Sequence, residues 1–160
     1  MPTKAVGLLL FTVIDGILYA VCQVRGAFNF QTMRSESWAG LLQPTCHGKL
    51  REDEEYIDAL RRKVGEELGA NGPLSDIDPQ HLTPLQLQRV RTYGCMVKPW
   101  VIREVTLHPS TGGLRLISRQ GADAIRFSQS GDRDGVPPGQ LVMFEDDFGA
   151  MLMGFSHFGK

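Results

Sequence analysis

Gly48-Lys-Leu-Arg-Glu-Asp-Glu-Glu-Tyr-Ile-Asp-Ala-Leu-Arg-Arg-Lys-Val-Gly-Glu-Glu-Leu-Gly-Ala70 is the segment on which the fold of this chain turns. Its centre predicts a helix over 54–68. Asp53 is a good N-cap, Glu54 and Glu55 suit the positive end of a helix dipole, and Gly69 can close the C-terminus. Tyr56, Ile57, Leu60, Val64 and Leu68 recur at three- and four-residue steps, which makes one apolar stripe. Gly65 inside that helix costs about 1 kcal/mol relative to Ala, so close packing or close approach of a ligand is expected there. Positions 63, 66 and 67 are about one turn apart and share a face. Glu66 and Glu67 therefore project together, and Arg62 lies one turn before Glu66, where it can pair with that carboxylate. Gly48 permits a backbone approach that a side chain would block.

This pattern resembles the Nudix box: a Gly, five residues, a Glu, seven residues, then Arg-Glu-aliphatic-x-Glu-Glu-x-Gly-aliphatic. Gly48, Glu54, Arg62, Val64, Glu66, Glu67, Gly69 and Ala70 fill the fixed positions in register. Position 63 departs, with Lys where the family has Glu. The approach to the box, Cys46-His47, also differs from the Gly-rich approach common in the family. The resemblance implies an α/β fold in which a mixed β-sheet is sandwiched between helices. It also implies a divalent-metal-dependent hydrolase that cleaves the diphosphate of a nucleoside diphosphate linked to another group. The metal would be Mg²⁺ or Mn²⁺, held by Glu66 and Glu67, with hard oxygen ligands and retained waters. Such an ion bridges phosphate oxygens and offsets the charge on the leaving group. Glu66, Glu67 and Arg62 are the implied catalytic residues. Glu104, Glu145, Asp146 and Asp147 are candidates for an acid added from a later loop, with Glu145 preferred. Gly48, Lys49, His47 and Lys63 are the residues expected to meet the diphosphate.

Lys63 changes what that cluster can do. Positions 63, 66 and 67 carry -1 together rather than -3, and an ammonium repels a divalent ion. The same Lys can pair with Glu66 and Glu67, or contact phosphate as a point charge. One alternative is thus a nucleotide-binding module that keeps the fold and has lost hydrolysis. Isomerisation of a diphosphate, performed by one branch of the superfamily, is a further alternative suggested by Cys46-His47.

Outward from the box, residues 4–13 and 17–24 are apolar and flank Asp15-Gly16, which reads as a β-hairpin. Residues 26–37 read as a loop, and 38–43 as a short strand. Trp38, Phe28 and Phe30 precede the box, where a nucleobase could stack, although core packing explains them as well. Residues 85–96, 100–107 and 114–118 read as strands, 124–128 as another, and 130–139 as a Gly/Pro/Asp loop. Residues 144–155 read as a final amphipathic helix with Phe144, Phe148, Met151, Leu152 and Phe155 inward. His81, His108 and His157 have no metal-ligand spacing.

The bulk properties fit a single domain over 1–160. The net charge of -1 and charged share of 22% do not suggest a general nucleic-acid or membrane binder. Capped RNA stays within the substrate class, beside nucleoside triphosphates, sugar nucleotides, dinucleoside polyphosphates and coenzymes. No apolar run is long enough to span a bilayer. The 3 cysteines, Cys22, Cys46 and Cys95, lack paired spacing, so reduced thiols and a cytoplasmic location are expected. Many members of the family are dimers, so a homodimer is implied by analogy.

Overall fold

Ala5–Ile14 (β1) and Ile17–Arg25 (β2) form an antiparallel hairpin closed by Asp15 and Gly16. Both turn residues have positive φ, 53° and 79°, as a two-residue turn that matches strand twist requires. The two strands pair only from Leu10↔Val21 to the turn. Before Leu10 and after Val21 they part, and a later segment fills the fork. Within it, Leu42–Gln43 (β5) pairs with the end of β2, and Cys46–Lys49 (β6) pairs with the start of β1. Thr45 sits at the point of parting. Its hydroxyl accepts from the Leu10 N–H at 2.9 Å and donates to the Val21 carbonyl. Those are two backbone groups that parting strands would otherwise orphan in the core.

The computed structural model describes residues 3–26, 28–29, 34–35, 41–75, 77–88, 90–108, 111–128 and 140–159. Phe28–Asn29 (β3) and Arg34–Ser35 (β4) make a separate two-stranded ladder. Tyr56–Leu68 is α1, followed by a 3₁₀ turn at Pro79–His81. Thr83–Leu87 (β7) and Val90–Met96 (β8) form an edge hairpin, with β8 parallel to β1. Then come Pro99–Glu104 (α2), Thr111–Ser118 (β9), Arg119–Ala122 (α3), Arg126–Ser128 (β10), Val142–Phe144 (β11) and Glu145–Phe158 (α4). The large sheet is mixed and runs β10-β11-β5-β2-β1-β8-β7, with β6 on β1 and β9 on β2. Helices cover both faces. Val6, Leu8, Leu10 and Val21 pack with Ala59, Leu60, Val64 and Leu68 of α1. Leu9, Phe11, Ala20 and Cys22, which alternate with them along the strands, pack with Ala150, Met151 and Phe155 of α4. This is the expected α/β sandwich, and strand alternation divides it into two cores.

Several local expectations fail for identifiable reasons. The main helix starts at Tyr56 with Glu55 at its N-cap, two residues after the expected Glu54. Asp53 takes a left-handed φ of 61° and Glu54 turns back on the preceding loop. Residues 85–96 are a hairpin rather than one strand. Residues 100–107 contain a short helix, because Pro99 at its first position fixes a helical φ and needs no N–H partner. On α4 the buried positions are Asp147, Ala150, Met151, Gly154 and Phe155. Phe144, Phe148 and Leu152, also expected inward, are partly buried. Gly65 is not packed tightly: a Cβ there would come no closer than 3.7 Å, to Ala70. Trp38, Phe30 and the 130–139 loop lie outside the described residues. Among the described residues no helix is long and apolar enough to cross a membrane.

Two stability measurements probe this framework. Thr45→Val should lower unfolding free energy by about 2–4 kcal/mol in urea melts, from two unpaired buried backbone groups. Thr45→Ser should recover most of that loss. Gly65→Ala should stabilise by up to about 1 kcal/mol, since the helix gains propensity without a clash.

Candidate functional site

The fork delivers β6 to the face that α1 covers, and the two elements are locked together by Arg62. All three of its guanidinium nitrogens are used. Nε and Nη2 donate to the two oxygens of Glu54, at 3.0 and 2.9 Å. Nη2 also reaches the Lys49 carbonyl at 3.0 Å, and Nη1 reaches Glu66 Oε1 at 3.3 Å. The Arg51 N–H donates to Glu54 Oε1 at 2.8 Å. The forked pair with Arg62, and then the Arg51 N–H, hold the Glu54 carboxyl down at about 2. Glu54 thus ties loop, β6 and helix together, as a bidentate Arg–carboxylate pair can. The expectation that Arg62 pairs with Glu66 is met, and Glu54 is its stronger partner.

Glu67 is pinned through one oxygen. Its Oε1 accepts from the His47 N–H at 3.2 Å and from Gln23 Nε2 at 3.3 Å. Gln23 is 3% exposed and also donates to the Thr45 carbonyl at 3.2 Å. It accepts from Gln43 Nε2 at 2.6 Å, and Gln43 accepts from Arg25 Nη1 at 3.5 Å. These donors run head to tail from a guanidinium through two amides to a carboxylate. Burial pushes the Glu67 carboxyl up, more than Lys63, the His47 N–H and Gln23 pull it down. Glu66 is the more open acid. Burial raises its carboxyl, but hydrogen bonds from Lys63 and then Arg62 outweigh that and leave it lowered.

Lys63 lies between these acids. Its Nζ is 3.1 Å from Glu66 Oε2 and 3.8 Å from Glu67 Oε2. Its stem runs along Gly48. A Cβ on Gly48 would stand 2.5 Å from Lys63 Cδ and 2.7 Å from Cγ, and nearer still to Cε. The space over Gly48 is taken by the Lys63 stem. A divalent ion bridging Glu66 and Glu67 would need the place the ammonium holds. Among the described residues no three His, Cys, Asp or Glu side chains converge to hold a metal. With Lys63 in place, the residues do not fit a resident divalent ion.

Of the other expected residues, His47 pairs with Gly7 on β1. Burial, then Arg25 and Lys63, lower its imidazole to about 4, so at neutral pH it adds no charge. Lys49 is exposed at the end of β6, and its contribution is the carbonyl that Arg62 grips. The Cys46 thiol is buried, and burial followed by Glu67 pushes its pKa well up. Glu104 ends α2. Glu145, Asp146 and Asp147 form the first turn of α4, on the opposite face of the sheet from α1. Asp147 is buried near Cys22, and desolvation, then Asp146, raise its carboxyl to about 7. Sequence reasoning missed Gln23, Gln43 and Thr45. The available signal was a lone glutamine on an apolar strand, in alternation with Val21 on the α1 face.

No family model matches the chain, and no curated protein matches it. Solved structures do. The chain is similar to a MutT/nudix family protein from Enterococcus faecalis, with a TM-score of 0.65 and 11% identity. That match covers 99% of this chain and 62% of the other, so this chain spans less than two thirds of that protein. It is also similar to the NUDIX domain of Shewanella oneidensis NrtR, solved with ADP ribose, at a TM-score of 0.61 and 14% identity over 99% and 89% of the two chains. A mutT/nudix family protein from Listeria innocua matches at 0.61 and 16% over 98% and 92%. Identities this low establish the fold, and that fold is the Nudix fold.

The buried acid on α4 gives a pH signature. The folded carboxyl of Asp147 near 7 lies above its unfolded value, so the native state binds the extra proton between about pH 4 and 7. Its contribution is therefore most favourable in acid and is lost as pH rises through 7. Asp147→Asn should leave the thermal midpoint unchanged near pH 4 and raise it at pH 8. The gain is on the order of 3 kcal/mol at most, since the helix N-terminus partly favours the charged form.

Proposed function

We propose that this domain binds a nucleoside diphosphate linked to another group, over β6 and the face of α1 that carries residues 62–67, and that hydrolysis at this site is suppressed. One observation carries the reading: each box carboxylate already faces a protein cation. Glu54 is held by Arg62, Glu66 by Arg62 and Lys63, and Glu67 faces Lys63. The usual chemistry of a Nudix site depends on carboxylates free to hold divalent ions. At an effective dielectric near 20, an ammonium about 4 Å from a divalent ion opposes it by several kcal/mol. The Nudix fold supports a nucleotide-derived ligand, because the Shewanella oneidensis domain of that fold was solved with ADP ribose.

A second reading is a one-metal pyrophosphohydrolase using Mg²⁺ or Mn²⁺. It is favoured by the convergence of Glu66 Oε2 and Glu67 Oε2 on one point, and it requires Lys63 to leave that point. Glu145, the preferred candidate for an added acid, lies on the opposite face of the sheet from α1, so this reading needs its base from elsewhere.

The two readings separate in one panel. Purified protein is given Mg²⁺ or Mn²⁺ with nucleoside triphosphates, sugar nucleotides, dinucleoside polyphosphates and capped RNA, and both binding and phosphate release are measured. Binding without turnover is expected, with Lys63→Glu raising Mg²⁺-dependent release above wild type. Wild-type turnover at or above about 1 s⁻¹, an ordinary enzymatic rate, together with a loss of activity in Lys63→Glu, would establish the hydrolase instead.

A further inference from the structure

Lys63 is built into the site rather than laid across it. Its stem is only 21% exposed and fills the volume that a side chain at position 48 would need. Gly48 cannot yield that volume, because its backbone is fixed by pairing with Val6 on β1. With the Lys63 backbone held inside α1, the stem can leave that volume only by rotating its side chain, which would carry Nζ away from its present place. The seat and the two acids thus determine where the ammonium stands.

An ammonium has three N–H donors and no acceptor. Glu66 Oε2 takes one at 3.1 Å, and Glu67 Oε2, at 3.8 Å, is a looser neighbour. Donor capacity is left over at the point where the two carboxylates converge. The guanidinium next to it on α1 is already committed. Arg62 is spent on Glu54, Glu66 and the Lys49 carbonyl.

We propose that Lys63, seated against Gly48 and steadied by Glu66 and Glu67, is a built-in monovalent cation that takes the ligand's diphosphate where a divalent ion would otherwise stand, so that the site binds its ligand without metal. This rests on the diphosphate-binding reading above and adds the cation and the metal independence. Gly48 leaves the space that the Lys63 stem fills, so the two residues act as one unit.

The test is titration calorimetry of the full chain with ADP-ribose as the probe, in EDTA and then in excess Mg²⁺. Wild type should bind in EDTA, with affinity changed by less than about threefold on adding Mg²⁺. Lys63→Met should weaken binding by about tenfold or more, the scale of one charge-assisted hydrogen bond. Gly48→Ala should weaken it comparably, and the double variant should bind no worse than either single, as expected for residues acting through one contact. Mn²⁺ alone supplies a readout that needs no ligand. Paramagnetic broadening of the Glu66 and Glu67 amide signals should be slight in wild type and strong in Lys63→Glu. ADP-ribose binding that requires Mg²⁺, unchanged affinity in Lys63→Met, or strong wild-type broadening by Mn²⁺ would overturn the inference while leaving the diphosphate-binding reading intact. Failure to bind ADP-ribose under either condition would bring down both.

Discussion

The site exists because β1 and β2 separate at Leu10 and Val21 and one hydroxyl closes the gap. Pairing along the full hairpin would satisfy more backbone groups within the two strands. Parting them admits a third segment, and Thr45 repays the two groups left open at the fork. From that point the chain runs directly through Cys46 and His47 to Gly48, so the fork fixes where the glycine lies above α1. Gln23 and Gln43 extend the same device. Buried amides are costly unless paired, and here Gln23, with both its N–H donors and its oxygen satisfied, reaches through to Glu67.

The division of labour among the charged residues follows from geometry. Arg62, planar and forked, matches the two oxygens of Glu54 and still reaches a carbonyl and a second acid. It serves as a strut between loop, strand and helix. Lys63, a single charge on a flexible stem, suits a place between two acids. Glu67 shows the compromise most clearly. One of its oxygens is committed to the His47 N–H and Gln23, which leaves the other to face Lys63. A carboxylate fixed in that way is better prepared to steady a neighbour than to move with a reacting group.

Much of this was legible in the sequence because periodicity is a strong signal over long elements. The stripe Leu60, Val64 and Leu68 sits in the core as expected, and Asp15-Gly16 turns the hairpin where the rule for such turns places it. The register of Arg62, Glu66 and Glu67 survives in space. What failed was short or non-local. Pro99 is compatible with a strand edge or a helix start, and six residues, Pro99–Glu104, are too few for periodicity to decide. Asp53 is a good N-cap by residue type, but the pull of Arg62 on Glu54 starts the helix later. The buried relay was illegible because its members, Gln23, Gln43 and Glu67, are far apart in sequence and meet only at the fork.

Glycine at position 48 carries the last lesson. A glycine beside a phosphate site ordinarily implies that backbone must come close to the ligand. Here the vacant side-chain volume is occupied from within the protein, by Lys63 Cγ, Cδ and Cε. The lysine on α1 and the glycine that precedes the helix therefore share one volume. With the lysine seated there, the cation beside Glu66 and Glu67 is the protein's own, and the chemistry proposed for the site follows from that charge.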